Sequence, residues 1–215
     1  MIKAVFFDVD GLLINSEVVY LDCWMRAVDS LGFTMTKDMA LDMRSLDSTL
    51  AREQFIKWFG IDIYDAAREK RKELMNVYNE THIMEAKLGV KEAVEFANAN
   101  GLAIYVVTAS PVDRARKYLD RAGIGQFFDN IISTKTVSRG KPFPDVYKLA
   151  ADTAGVSPSE CIAFEDSPNG LKSAKSAGCI TVMVPDQTGL NEDLRPYVDY
   201  CINNLSEATD TIKIL

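Results

Sequence analysis

The sequence predicts an α/β fold: a doubly wound parallel sheet with a helical domain inserted near its start. Three observations predict it. From residue 90 onward, short apolar runs of strand length alternate with amphipathic stretches of helical length, the pattern of repeated β-α units with buried parallel strands. One further apolar run, Ala4-Val5-Phe6-Phe7, stands alone at the start of the chain. Between it and the alternating region lies a stretch, about residues 36 to 80, with no β-branched strand-like run and many Met, Lys, Arg, Glu and Asp residues. The expected division is a core domain of residues 1–14 and 84–215 and a helical domain of residues 15–83.

Residues 3–8 form the first expected strand. Ser16-Glu17 opens a helix, with Ser16 as its cap, that runs to Leu31-Gly32. Its apolar members Val18, Leu21, Trp24, Met25 and Val28 recur at helical spacing, so Trp24 and Met25 belong to a core. Three helices are expected between Thr36 and Glu80, with apolar faces at Leu50, Phe55, Trp58 and Phe59, then Ala67, Leu74, Val77 and Tyr78. The run Arg68-Glu69-Lys70-Arg71-Lys72-Glu73 reads as a solvated face with opposite charges three or four apart, or as a face that lends one lysine to a site. Helix 90–100 stops at Gly101, and strand 103–107 leads into Thr108-Ala109-Ser110-Pro111. Helix 112–122 stops at Gly123; strand 130–133 leads to a loop containing Gly140-Lys141-Pro142. Helix 144–154 stops at Gly155, and strand 161–164 runs into Glu165-Asp166-Ser167-Pro168-Asn169-Gly170. Helix 171–177, strand 180–184, a late strand near 200–202 and a short helix complete the chain.

Composition narrows the chemistry. The chain has 215 residues, 47% of them apolar, and a net charge of -7, enough for a sizeable core and a poor generic match to nucleic acid or anionic membrane. No apolar run approaches the ~20 residues that span a bilayer. The four cysteines, Cys23, Cys161, Cys179 and Cys201, lack metal-type spacing and read as reduced core thiols of a cytoplasmic protein. His82 is the single histidine and sits in a connector, which removes Ser-His-Asp relays and zinc sites built on several histidines. Chemistry must rest on carboxylates, hydroxyls, Lys and Arg.

In open parallel sheets, ligands bind outside the C-terminal ends of the strands. The residues just past each apolar run are Asp8 and Asp10, then Thr108 and Ser110, then Lys141, then Glu165 and Asp166. Converging strands would bring up to four carboxylates, a hydroxyl pair and one ammonium into one pocket. Oxygen donors of this kind suit Mg²⁺, and a cation on Asp8 and Asp166 with Lys141 and Thr108 nearby makes an anion receptor. A carboxylate is also a competent nucleophile toward phosphorus, and phosphoryl transfer needs chiefly positioning and charge neutralisation. Each member has a plainer reading: Asp10 in an Asp-Gly turn, Thr108 as a helix cap, Lys141 as a loop lysine, and Glu165-Asp166 as acids favoured by a helix dipole. No Gly-x-x-x-x-Gly-Lys-Ser/Thr or Gly-x-Gly-x-x-Gly follows a strand.

The motifs Asp8-Val9-Asp10-Gly11-Leu12-Leu13, Thr108-Ala109-Ser110, Gly140-Lys141-Pro142-Phe143-Pro144-Asp145 and Glu165-Asp166-Ser167-Pro168-Asn169-Gly170 resemble those of the haloacid dehalogenase superfamily. Within it, the chain is similar to the branch of β-phosphoglucomutases and small phosphate-ester phosphatases. The resemblance implies that Asp8 is a nucleophile that becomes phosphorylated and also ligates Mg²⁺. It implies that Asp10 is the general acid/base, with its backbone carbonyl on the metal. Thr108 and Lys141 would bind the transferring phosphoryl group, alongside Ala109 and Ser110. Asp166 would ligate the metal, and Glu165 would support the metal or Lys141. The helical insertion would be a cap that closes over the site on hinges near 13–16 and 81–88, with Arg44 and Lys72 as its substrate contacts. Tyr20 stands where the mutases carry a histidine, and Leu46 where they carry a cap arginine, which favours a Mg²⁺-dependent phosphatase acting on a sugar or polyol phosphate. A phosphosugar mutase is the alternative, and a phospho-accepting receiver module is a third, non-enzymatic reading. The protein is expected to be a monomer.

Overall fold

The computed structural model describes residues 1–43 and 48–215. The chain divides into two compact units, Met1–Asn15 with Met84–Leu215, and Ser16–Ile83. Helices α1 (Ser16–Asp29), α2 (Lys37–Asp42), α3 (Ser48–Phe59) and α4 (Tyr64–Thr81) make up the second unit. The first contains α5 (Val90–Ala99), α6 (Val112–Arg121), α7 (Asp145–Ala154), α8 (Pro168–Ala177) and α9 (Ala208–Lys213). Its strands are β1 (Ala4–Phe7), β2 (Ala103–Thr108), β3 (Asn130–Ser133), β4 (Cys161–Glu165), β5 (Ile180–Met183) and β6 (Tyr200–Cys201).

The six strands form one sheet in the order β3-β2-β1-β4-β5-β6, and every pair is parallel. β1 lies at the centre, where the winding reverses: β2 runs beside it on one edge and β4 on the other. This is the doubly wound arrangement, and the crevice at such a reversal is where ligands bind. β1 is buried at all four positions because both of its faces are covered, which is why it reads as a continuous apolar run rather than an alternating one. Alternate side chains enter opposite layers. Ala4 and Phe6 pack with Tyr105, Val107, Ala163 and the α7 residues Val146 and Tyr147. On the other side Phe7 stacks on Phe164 at 5.3 Å between ring centroids and meets Phe128 edge-on.

The helical unit has its own core, built from Leu21, Trp24, Val28, Phe55, Tyr64 and Ala67. Burial of this many large apolar side chains stabilises by roughly 1.5–3 kcal/mol each, so tertiary packing outweighs the modest helix propensities of the segment.

Several sequence expectations are corrected in detail. α1 begins at Ser16 itself, so Ser16 is the first helical residue and not the cap preceding it. α8 begins at Pro168, three residues earlier than its apolar pattern indicates. The Ser167 hydroxyl accepts from Gly170 N, and proline suits a first helical position because it has no N–H to satisfy. Leu50 and Val77 are exposed rather than part of the helical core. Cys23, Cys161 and Cys179 are buried thiols, but Cys201 is exposed at the two-residue edge strand β6. Burial pushes the Cys161 thiol up to about 11 and Cys179 up to about 12, which leaves both inert as nucleophiles. Among the described residues, no helix is long and apolar enough to cross a membrane.

Candidate active site

The site is assembled at the C-terminal ends of the three central strands. β1 ends at Phe7, and the Asp8 amide still donates to Phe164 O of β4 at 3.2 Å, which fixes the direction in which its carboxylate leaves the sheet. The chain then turns tightly, with Leu13 N donating to Val9 O and Gly11 N to Ile14 O. Gly11 takes φ of 87° in this turn, a conformation that only glycine adopts without cost. Asp10 sits inside the turn, bridged to Ile14. The hydroxyl of Ser110, beyond the tip of β2, donates to Asp10 Oδ2 at 2.9 Å.

Lys141 arrives from the long loop after β3. Its side chain is buried at 6% exposure. Nζ donates to Asp8 Oδ1 at 2.7 Å, to Glu165 Oε1 at 2.6 Å and to Val107 O at 2.9 Å. An ammonium has three donors, and all three are matched, so the lysine is locked between the tips of β1, β2 and β4. It is not an ordinary loop lysine. Burial alone would lower its pKa, but the carboxylates of Asp8 and Glu165 outweigh that and hold it above the usual lysine range. Asp8 behaves oppositely. Burial raises it, Lys141 pulls it down, and the neighbouring charges of Glu165 and Asp10 raise it further, to about 7.

Glu165 is fully buried and engaged on both oxygens. Oε1 accepts from Lys141 and from the Tyr147 hydroxyl at 2.5 Å, and Oε2 accepts from the Ser167 hydroxyl at 3.2 Å. Burial, followed by the charges of Glu165 and Asp8, holds the Tyr147 phenol well above its ordinary value, so it remains a hydrogen-bond donor. Helix α8 passes directly over this carboxylate. A Cβ placed on Gly170 would lie 2.0 Å from Glu165 Cδ, so the glycine is required by space.

Asp8, Glu165 and Asp166 each offer a carboxylate oxygen, and these lie within 4.8 Å of one another with all three residues buried. Clustered anionic oxygens with no softer ligand among them suit a hard divalent cation. The arrangement therefore fits the metal expected from the sequence. Thr108 ends β2 fully buried, and its Oγ1 accepts from Ser110 N at 3.0 Å. It does not cap the next helix, whose N-cap is Pro111 with no side-chain bond. The Ala109 and Ser110 carbonyls accept from the Thr134 and Ser133 hydroxyls at 3.4 and 2.7 Å, which ties this loop to the tip of β3.

The two helical-unit residues singled out from sequence fare differently. Arg44, like Leu46, lies outside the described residues. Lys72 is on α4, paired with Glu69 at 2.5 Å, its side chain 43% exposed. Sequence reasoning gave no role to Tyr147. Its spacing with Val146, Ala150 and Ala151 marks an apolar helix face, and the one signal was its hydroxyl, which needs a partner when buried.

Comparison with known proteins finds relatives across most of the chain. The haloacid dehalogenase-like hydrolase family pattern matches residues 2–178. The chain is 31% identical over 181 residues to a phosphorylated carbohydrates phosphatase of Thermotoga maritima, covering 82% of each. It is 29% identical to hexitol phosphatase B of Escherichia coli, with 97% of this chain and 95% of that protein covered. It is 26% identical to a β-phosphoglucomutase of Bacillus subtilis, with 99% and 97% covered. Among solved structures, a haloacid dehalogenase-like protein of Agrobacterium tumefaciens superposes with a TM-score of 0.86 at 22% identity, over 100% of this chain and 99% of that one. The chain belongs to the haloacid dehalogenase-like hydrolases.

Proposed function

We propose that the protein is a Mg²⁺-dependent phosphatase that hydrolyses a phosphorylated sugar or polyol through an aspartyl-phosphate. The observation that carries this reading is the Lys141 ammonium held between Asp8 and Glu165 at the sheet reversal, beside the buried Asp166. An Asp8 oxygen attacks phosphorus, and the bond from phosphorus to the ester oxygen breaks. Asp10 gives its proton to the leaving alkoxide. In the second half-reaction Asp10 takes a proton from water, whose oxygen attacks phosphorus; the bond from phosphorus to the Asp8 oxygen breaks, releasing inorganic phosphate and restoring the Asp8 carboxylate. Lys141 and Thr108 hold the transferring group, and Ser110 orients Asp10 through the hydrogen bond to Oδ2. Asp8, Asp166 and the Asp10 carbonyl would hold the magnesium ion, which when bound neutralises charge on the phosphoryl oxygens. Glu165, committed to Lys141, Tyr147 and Ser167, supports the cluster from beneath. The 15–83 segment acts as the cap, and the protein works as a cytoplasmic monomer.

The relatives named as phosphatases of phosphorylated carbohydrates and hexitols support the substrate class. The test is a phosphate-release screen over sugar and polyol phosphates, with Mg²⁺ and with chelator. Metal-dependent hydrolysis of several members is expected. Isomerisation of β-glucose 1-phosphate primed by a sugar bisphosphate, without net phosphate release, would replace the phosphatase with a mutase.

A further inference from the structure

Outside the Lys141 cluster, the ion pair most withdrawn from solvent among the described residues is Lys87 with Asp186. Lys87 Nζ donates to Asp186 Oδ1 at 2.5 Å, across 99 residues of chain, and the two side chains are 24% and 8% exposed. Lys3–Glu160, Arg139–Asp145 and Lys175–Asp199 are more exposed at both partners. Gln187 Nε2 donates to Asp186 Oδ2 at 3.3 Å, so both carboxylate oxygens are engaged. Shielding an ion pair costs desolvation that its attraction hardly returns, and an apolar pair of similar volume would serve stability as well. What the charges add is a fixed position.

That position adjoins the turn that carries Asp10. Asp186 lies just past Val184, whose amide donates to Glu165 O at 2.8 Å, so it stands at the C-terminal edge of the sheet, next to β4. Lys87 lies on the segment that re-enters the sheet unit at Met84, and the segment that leaves it ends at Asn15. The two segments pair. Lys87 N donates to Leu13 O at 2.9 Å, Asn15 N donates to Glu85 O at 3.1 Å, and Ile14 and Ala86 form an antiparallel bridge. Ile14 is in turn bridged to Asp10. A continuous run of contacts therefore leads from Asp186 through Lys87 and residues 13–14 to the backbone of Asp10. The Ser110 hydroxyl fixes where the Asp10 carboxylate points; the returning segment fixes where the turn itself stands.

We infer that Lys87 and Asp186 are positioning residues for Asp10: their ion pair holds the returning segment against the 9–14 turn and so keeps the acid where it can protonate the leaving oxygen. This rests on the phosphatase reading above. The pair acts through the turn and has no contact with the substrate to make.

The test uses leaving-group chemistry. A polyol alkoxide must receive a proton as its bond to phosphorus breaks, whereas a dinitrophenolate leaves without one. kcat/KM covers the steps up to departure of the alcohol, so it is free of the later hydrolysis of phosphorylated Asp8. It is measured with Mg²⁺ for sorbitol 6-phosphate and for dinitrophenyl phosphate, in the natural protein, Lys87→Met, Asp186→Asn and Lys87→Arg. Lys87→Met and Asp186→Asn lower the value for sorbitol 6-phosphate by about tenfold, part of the ~10²–10⁴ that a positioned acid supplies, and change that for dinitrophenyl phosphate by less than about twofold. Lys87→Arg keeps the pair and recovers most of the loss. Lys3→Met, which removes the exposed pair with Glu160, shows no such split. Where circular dichroism finds Lys87→Met unfolded, the milder Asp186→Asn carries the comparison. Equal losses on both esters, no loss on either, or a Lys87→Arg no better than Lys87→Met overturns the inference and leaves the phosphatase reading standing. A natural protein inactive on both esters brings down that reading and the inference with it. One active on the aryl ester alone leaves no proton donation for the pair to serve and overturns the inference as well.

Discussion

At the level of single residues, the site is a balance of buried charges. Lys141 faces Asp8 and Glu165, and each carboxylate keeps its position because the ammonium matches it. The raised Asp8 pKa, about 7, has a defined consequence. A folded-state pKa above the unfolded value contributes stability that is present below the unfolded value and is lost as pH rises through the folded one. Chelated protein should therefore lose stability between about pH 4 and pH 7 on account of Asp8, as read by denaturant unfolding at a series of pH values. Binding of a divalent cation to the carboxylate displaces the same proton. Calorimetric titration with Mg²⁺ near pH 6, in two buffers of different ionisation enthalpy, should show proton release that fades above pH 8. Tyr147→Phe removes one hydrogen bond to the buried Glu165. It should cost about 1.5–3 kcal/mol in urea unfolding and lower the hydrolytic rate while the fold persists.

At the level of elements, strand register and one helix start decide whether these residues meet. β1 sits between β2 and β4, and Phe7 is level with both Val106 and Phe164, so the next residues emerge side by side. α8 then seals the cluster, and its clearance depends on Gly170. Gly170→Ala places a methyl group inside the Glu165 carboxylate. It should destabilise by about 1–3 kcal/mol and reduce hydrolysis by displacing the partner of Lys141, losses that Gly189→Ala, with nothing near its Cβ and no left-handed φ, would not reproduce. On α4, Lys72 and Glu69 form an exposed pair of a kind worth ~0–1 kcal/mol. Lys72→Ala should leave the denaturation midpoint nearly unchanged.

At the level of the whole molecule, much was legible beforehand. The strand at Ala4–Phe7, the strand–helix alternation after residue 90 and the acids and lysine at the strand tips all follow from apolar periodicity and from the rule that places ligands at the C-terminal edge. What sequence could not supply was tertiary. That all three Lys141 protons are matched, that Glu165 is held by Tyr147 and Ser167, and that Gly170 clears space for it depend on residues far apart in the chain. In the helical segment, local pattern misassigned Leu50 and Val77 as core, since an apolar residue at helical spacing does not announce which neighbour covers it. It also pointed at Lys72, which is paired with Glu69 at the surface, while its neighbour Arg71 lies over the rings of Tyr20 and Trp24 on α1.

The most direct measurement is phosphate release from a hexitol or sugar phosphate in the presence of Mg²⁺, comparing the natural protein with Asp8→Asn, whose side chain is nearly isosteric. If Asp8 carries the phosphoryl group, the variant folds and loses turnover to background, and mass mapping of acid-quenched natural protein finds the phosphoryl adduct on the peptide containing Asp8. Undiminished hydrolysis by Asp8→Asn, or an adduct on another residue, would contradict the account.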